Sequence, residues 1–181
     1  MSANFSWLIA SLMFLALVAG GGRVPAPPTH GMLVVANQRE HTALLIDPET
    51  RQELAKVIVG VNGHEVAVSP DSRFAYVPIY GNSGVGKPGT DGTTIDIVDL
   101  RDHRLAATID LGKPLRPHRA EFGPDGLLYV TAELDKAVSV IDPATRKVIA
   151  EIPTGAIESH MIVISHDGSR AYTANVAAGS V

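Results

Sequence analysis

Apolar residues occur along most of the chain in short runs that alternate with polar and turn-forming residues. The runs LVVAN, FAYVP and LLYVTA are rich in Val, Leu, Ala and Tyr, and turn-forming residues such as Gly, Pro, Asp and Ser separate them from their neighbours. Short runs of this composition, bounded by turn residues, are typical of β-strands. The pattern therefore predicts an all-β protein.

The predicted strands belong to a unit that repeats along the chain. Three segments share one pattern: HEVAVSPD, HRAEFGPD and HMIVISHD, at residues 64–71, 118–125 and 160–167. Each begins with histidine, ends in aspartate and leads into a strand that contains tyrosine. A second landmark, Asp47, Asp99 or Asp142, ends a further apolar run, and another strand follows it. One unit thus has four strands, joined by turns in which the aspartates are expected to bond their own backbone.

The spacing of the units predicts the architecture. Asp125 and Asp167 are 42 residues apart, and four antiparallel strands at about this period are typical of a β-propeller blade. We predict a β-propeller of four-stranded antiparallel blades, present as an incomplete arc of about three and a half blades and hence a fragment. The repeats are expected at roughly residues 32–63, 64–117, 118–159 and 160–181, the last one truncated.

One unit carries an insertion between its second and third strands. The surplus lies in IYGNSGVGKPGTDG, residues 79–92, which contains the beginning of a Walker A phosphate loop. Pro88 stands where that motif needs a hydroxyl residue for Mg²⁺, and the following Gly-Thr-Asp-Gly is a turn sequence rather than the start of a helix. We therefore expect a rim loop over a binding face, not a nucleotide site.

The repeat resembles a known family. AYVPIYGN, LYVTAELDKAVSVID and AYTAN, with the HEVAVSPD-type strands before them, are similar to the YVTN-type β-propeller repeats of YncE-like proteins, over nearly all of residues 32–181. The resemblance implies a bacterial or archaeal propeller, commonly exported. It also implies a relation by fold to lactonase-type propellers and to the haem-binding propeller domain of cytochrome nitrite reductases. Such a resemblance indicates a fold more firmly than a reaction.

The N-terminus predicts export. The apolar run WLIASLMFLALVAG, residues 7–20, is shorter than the roughly 20 residues of a spanning helix and suits the core of a signal peptide. We predict a signal peptide, or alternatively an uncleaved N-terminal anchor, over residues 1–21. A Pro- and Gly-rich spacer is predicted over residues 22–31. The mature protein is then expected in the periplasm or outside the cell.

Charge and composition restrict the expected partners. The chain has 15 Lys and Arg residues, 19 Asp and Glu residues, a formal net charge of −4 and no cysteine. The charges are scattered, whereas nucleic acids and anionic membranes favour clustered Lys and Arg. We therefore expect no nucleic-acid partner, and no membrane contact beyond a possible N-terminal anchor. Disulfides and cysteine-ligated metals are excluded.

The repeated histidines are the main candidates for a binding site. His64, His118 and His160 each open the innermost strand of a unit, so they are expected at one face, which we call the upper face, with the 79–92 loop above it. Imidazole is a good ligand for Zn, Cu, Fe or Ni, so all three are candidate metal ligands. They could instead hydrogen-bond the backbone of a neighbouring blade.

Further polar residues are expected to contribute to the upper face. The predicted binding residues besides the histidines are Tyr80, Asn82, Lys87, Arg119 and Glu121, with Glu65 and Glu133 as additional charge partners. Strand alternation places Arg119 on the opposite side of its strand from His118, which disfavours a direct role for this arginine.

The sequence leaves three functions open. Because no complete catalytic set is recognisable, the leading hypothesis is an exported, non-catalytic scaffold that binds an unknown small molecule or a protein at the upper face. One alternative is a lactonase-like hydrolase, in which a positioned His or Glu activates water. A second alternative is a propeller that binds haem or a transition metal through the repeated histidines.

Overall fold

The computed structural model describes residues 31–84 and 87–181, so the predicted signal peptide or anchor (residues 1–21) and residues 22–30 of the spacer lie outside the described residues. The strands are β1 Leu33–Asn37, β2 Thr42–Ile46, β3 Glu53–Ile58, β4 Ala67–Val68, β5 Phe74–Gly81, β6 Asp91–Asp99, β7 Arg104–Asp110, β8 Pro117–Phe122, β9 Leu128–Ala132, β10 Ala137–Asp142, β11 Lys147–Pro153, β12 Ser159–Ile164 and β13 Ala171–Asn175. The described residues include no helix long and apolar enough to cross a bilayer.

The strands form four antiparallel sheets, each built from consecutive hairpins. The sheets β4–β7 and β8–β11 have four strands in chain order, β1–β3 has three, and β12 pairs with β13. Four-stranded antiparallel sheets that follow one another along the chain and pack face to face are the blades of a β-propeller. The prediction of an all-β, incomplete propeller is confirmed.

Apolar side chains between successive blades hold the arc together. One cluster joins Ile95 and Ile109 of the second blade to Leu128 and Ile141 of the third. A second cluster packs the first sheet, through Leu45 and its neighbours, against the second blade. Each such side chain contributes about 1.5–3 kcal/mol when it is fully buried. The core is therefore divided between the blade interfaces.

The repeated aspartates close turns, as the sequence predicts. A carboxylate oxygen accepts the backbone N–H two residues later at Asp47, Asp71, Asp99, Asp125, Asp142 and Asp167. These hydrogen bonds are local, because donor and acceptor belong to the same turn. The six aspartates therefore stabilise their own turns.

The insertion lengthens a hairpin and forms a short loop at its end. β5 and β6 pair from Phe74 and Asp99 up to Gly81 and Asp91. Beyond them, an isolated bridge joins Gly84 to Lys87. The described residues after Lys87 lead into β6 and not into a helix. The described part of the loop therefore contains no helix N-terminus of the kind that a phosphate loop needs.

Candidate metal centre

The same backbone bend precedes each repeated histidine. The residue two positions before each of them has a positive φ, namely Asn62 at 60°, Arg116 at 51° and Glu158 at 53°. This left-handed conformation is uncommon for residues other than glycine. Its recurrence at equivalent positions shows that the chain enters each innermost strand by one shared bend. The bend brings each histidine to the same place in its blade.

The three histidines meet across the blade boundaries, and we call His64, His118 and His160 the histidine row. The ring centroids of His64 and His118 are 4.0 Å apart, and those of His118 and His160 are 3.6 Å apart. The planes are tilted by 43° and 37° respectively. The ring of Tyr80 lies 5.2 Å from that of His64. The row therefore brings residues of three consecutive sheets into contact.

His118, in the middle of the row, is buried without hydrogen bonds from its ring. Its residue is 2% exposed, and neither ring nitrogen has a hydrogen-bond partner within the described part of the chain. Burial, followed by the neighbouring His64 and His160, lowers the pKa of His118 to about 3. The ring is thus neutral near neutral pH, as a metal ligand must be. Buried imidazoles ordinarily have a hydrogen-bond partner, so the nitrogens of His118 are candidate ligand atoms.

Glu133 lies beside the row and is also buried. The hydroxyl of Tyr80 donates to its Oε2, and Arg116 Nη1 is 3.9 Å from the same oxygen. The other oxygen, Oε1, is 3.1 Å from His160 Nδ1. One carboxylate oxygen is therefore held by the surrounding side chains, while the other faces the histidines.

Tyr80 and Arg116 connect Glu133 to the inserted hairpin. Burial, and then the adjacent carboxylate, raises the pKa of Tyr80, so its hydroxyl stays protonated and donates. Arg116 Nε donates to Asp91 Oδ1 at 2.6 Å and to Ser83 Oγ at 2.9 Å. Since Ser83 and Asp91 belong to the hairpin, the insertion helps to fix the orientation of Glu133.

Two overlapping groups of side chains have the composition and spacing of metal sites. In His118, Glu133 and His160, one ligand atom of each residue lies within 4.8 Å of the others, and the same holds for His64, Glu65 and His118. The 3.1 Å separation of His160 Nδ1 and Glu133 Oε1 falls within the roughly 2.9–3.4 Å expected between neighbouring ligands whose bonds to a metal are about 2.0–2.1 Å long. Two histidines and one glutamate form a known zinc ligand set with an open fourth position.

The spacing of the rings bears on the haem alternative. A flat macrocycle between two rings needs about 7 Å, twice an ordinary van der Waals contact. The ring centroids of the row are 3.6 and 4.0 Å apart, so a macrocycle does not fit between them. These distances do not concern an iron bound at the edge of a ring, so the predicted haem binding stays a prediction.

The structure places the other predicted binding residues in different surroundings. Tyr80 belongs to the centre through its hydrogen bond to Glu133. Arg119 pairs with Glu121 Oε2 at 3.0 Å and with Glu65 Oε2 at 3.5 Å, so this ion-pair group lies beside the row. The predicted binding roles of Arg119 and Glu121 stay predictions.

Asn82 and Lys87 are exposed in the loop of the hairpin. The side-chain oxygen of Asn82 accepts the backbone N–H of Thr90 at 2.6 Å, so it stabilises the loop itself. The structure shows no contact of either side chain with the histidine row among the described residues. Their predicted binding roles stay predictions.

Sequence reasoning missed the supporting residues of the centre. It named Glu133 only as a charge partner, and it gave no role to Arg116, Ser83 or Asp91. Arg116 carries one signal that could have identified it, because it precedes a repeated histidine by two residues. Ser83 and Asp91 carry no such signal, since their partner is 33 and 25 residues away in the sequence.

Comparison with known proteins supports the fold. No family model and no curated protein matches the sequence, so the resemblance to YVTN-type propellers stays a prediction. Among solved structures, the protein is similar to Kuenenia stuttgartiensis hydrazine synthase, with a TM-score of 0.66 and 23% sequence identity. The match covers 79% of this chain and spans 40% of the hydrazine synthase chain. At this identity the similarity concerns the fold alone.

Proposed function

We propose that the protein is an exported, non-catalytic propeller whose upper face binds a divalent transition-metal ion through His118, Glu133 and His160. Zinc, copper and nickel are the ions that this nitrogen and oxygen ligand set favours. Export to the periplasm or the cell exterior is supported by the apolar N-terminal run at residues 7–20 and by the resemblance to exported propellers.

The observation that carries this proposal is the burial of His118 with neither ring nitrogen hydrogen-bonded to any of the described residues. A buried polar group without a hydrogen bond costs about 1–3 kcal/mol of folding free energy. A purely structural histidine at this position would be expected to bond a backbone carbonyl of the next blade. The backbone of His160 approaches the ring of His118 closely enough to oppose the fall in its pKa, but neither ring nitrogen makes a hydrogen bond of ordinary distance and angle with the described residues. A metal ion gives one of these nitrogens a partner and also binds Oε1 of Glu133, in place of the hydrogen bond between that oxygen and His160 Nδ1.

The surroundings of the ligands also support binding of a cation. Glu133 supplies the negative charge, and Tyr80 and Arg116 hold its second oxygen in place. Hydrogen bonds of this kind orient metal ligands in known sites, and their loss weakens metal affinity by about 10- to 100-fold. The site contains preorganised ligands rather than a set of exposed side chains.

The test is a calorimetric titration of the chelator-treated full chain with Zn²⁺. We expect saturable binding, and we expect Glu133→Gln and His160→Ala each to weaken it by at least about tenfold. His166→Ala is the matched control, because His166 is exposed in a turn away from the row. This variant should bind as the original protein does.

Thermal unfolding of the metal-free variants separates loss of binding from loss of folding. Glu133→Gln preserves the size of the side chain, and the His160 side chain is 32% exposed, so both variants should remain folded. The proposal is wrong if the original chain does not bind Zn²⁺, or if the two folded ligand variants bind it as tightly as His166→Ala does.

A further inference from the structure

The second group of candidate ligands has its own unpartnered nitrogens. One ion at His118, Glu133 and His160 would use a single nitrogen of His118. Within the histidine row, two buried ring nitrogens would then still be without hydrogen-bond partners among the described residues, namely the other nitrogen of His118 and Nδ1 of His64. Both residues belong to the group formed by His64, Glu65 and His118, in which one ligand atom of each residue lies within 4.8 Å of the others. The two nitrogens therefore lie on neighbouring rings, whose centroids are 4.0 Å apart.

Glu65 is available to complete this second group. Its Oε2 lies 3.5 Å from Arg119 Nη1, whereas Arg119 Nη2 is 3.0 Å from Glu121 Oε2. Glu121 is thus the closer carboxylate partner of the arginine. Glu65 can turn towards the histidines while Arg119 keeps an ion pair with Glu121.

We infer that the histidine row binds a second divalent transition-metal ion, held by His64, Glu65 and His118, with the ring of His118 shared between the two ions. This inference rests on the proposed function, because the first ion occupies the site described there. An imidazole ring has two nitrogens, and each can bind one ion once the ring has released its single N–H proton to solvent. The shared ring then carries one negative charge. Together with Glu65 and Glu133 it offsets part of the charge of two divalent ions.

The experiment uses the chelator-treated full chain and Cu²⁺ as the only metal. After excess copper is removed, copper per chain is measured by elemental analysis, and the intensity of the copper electron paramagnetic resonance signal is compared with it. Two Cu²⁺ ions joined through one imidazolate ring couple antiferromagnetically, so their signal is weaker than the copper content predicts. We expect two copper ions per original chain and this loss of signal.

Glu65→Gln is the test variant, and Glu121→Gln is its matched control, since both remove a carboxylate next to Arg119. We expect Glu65→Gln to retain one copper ion per chain with a full signal, and Glu121→Gln to behave as the original chain. His64→Gln is the second variant, in case Glu65→Gln does not fold, and it should also retain one ion.

The outcomes separate this inference from the proposed function. One copper ion in the original chain, unchanged in Glu65→Gln, would overturn the second site and leave the first. Two ions with an undiminished signal would overturn the sharing of His118. Binding of no copper at all would overturn both.

Discussion

The hydroxyl of Tyr80 donates to Glu133 in the interior of the protein, and this contact decides which carboxylate oxygen faces the histidines. Tyr80 is 5% exposed and Glu133 is likewise 5% exposed, so water competes little for either group. Hydrogen bonds to charged groups contribute about 1.5–3 kcal/mol. At the scale of single residues, the candidate centre depends on this orientation as much as on its ligands.

Tyr80→Phe tests the orienting role of this hydroxyl. The phenylalanine keeps the ring beside His64 but removes the donor to Glu133, so the carboxylate gains freedom to rotate. We expect the affinity for Zn²⁺ to fall by about 10- to 100-fold while the protein remains folded. Calorimetric titration with Zn²⁺ measures the change.

Tyr76→Phe is the matched control for this substitution. Tyr76 is also buried on β5, but its ring packs against Phe122, with centroids 5.3 Å apart. Removal of the Tyr76 hydroxyl should therefore leave the affinity for Zn²⁺ unchanged. If Tyr80→Phe binds Zn²⁺ as tightly as Tyr76→Phe, the hydroxyl of Tyr80 does not orient the ligand.

Among the elements, the hairpin of β5 and β6 contributes most to the centre. It carries Tyr80 and Asp91, and it reaches the next blade through Gly92. The carbonyl of Gly92 accepts the backbone N–H groups of Leu115 and Arg116 at 2.9 and 3.1 Å. Since Leu115 and Arg116 immediately precede β8, this contact fixes the chain at the point where it approaches His118.

Gly92→Ala tests the close approach within this hairpin. A Cβ atom at Gly92 would overlap the backbone carbonyl of Ile79, and backbone cannot move aside as a flexible side chain can. We expect the free energy of unfolding to fall by about 1–3 kcal/mol. The affinity for Zn²⁺ should also decrease, because Tyr80 follows Ile79 directly. Chemical denaturation and calorimetry measure the two effects.

Gly84→Ala provides the comparison within the same hairpin loop. A Cβ atom there would have its nearest neighbour, Cβ of Lys87, at 3.9 Å, which is an ordinary contact. This variant should retain both stability and Zn²⁺ affinity. Equal stability of the two variants would show that the hairpin tolerates the extra atom at Gly92 and would contradict the prediction.

At the scale of the whole molecule, the blades depend on shared cores. Leu128 is fully buried in the cluster that also contains Ile95 and Ile109 of the preceding blade. Thr131 Oγ1 of the third blade donates to the carbonyl of His160 at 2.7 Å, so a hydrogen bond extends the connection to the next sheet. A change inside one blade interface therefore affects the blades on both sides.

Leu128→Ala tests this coupling. Truncation of a buried leucine leaves a cavity and is expected to destabilise the protein by about 2–5 kcal/mol. Because the cluster is shared, hydrogen exchange should accelerate in both the β4–β7 and the β8–β11 sheets. Leu105→Ala, at a residue that is 42% exposed, should change exchange little. Acceleration confined to the β8–β11 sheet would show that the blades unfold independently.

The sequence by itself determined the features that depend on neighbouring residues. The strands follow from short apolar runs, and the turns follow from aspartates such as Asp71 and Asp125, whose carboxylates bond backbone two residues away. The repeat then indicated the propeller and placed the three histidines at equivalent positions. Each of these features recurs within one blade, so a local pattern is enough to reveal it.

Only the tertiary structure decided which side chains meet across the blades. Glu133 contacts Tyr80 from 53 residues away and His160 from 27 residues away, and no local pattern encodes these pairs. The extent to which His118 is buried, and the absence of partners for its ring nitrogens within the described part of the chain, likewise depend on how two neighbouring blades pack against its own. Strand propensity and turn chemistry act over a few residues. The candidate centre instead depends on how neighbouring blades pack, because that packing brings residues from distant parts of the chain into contact.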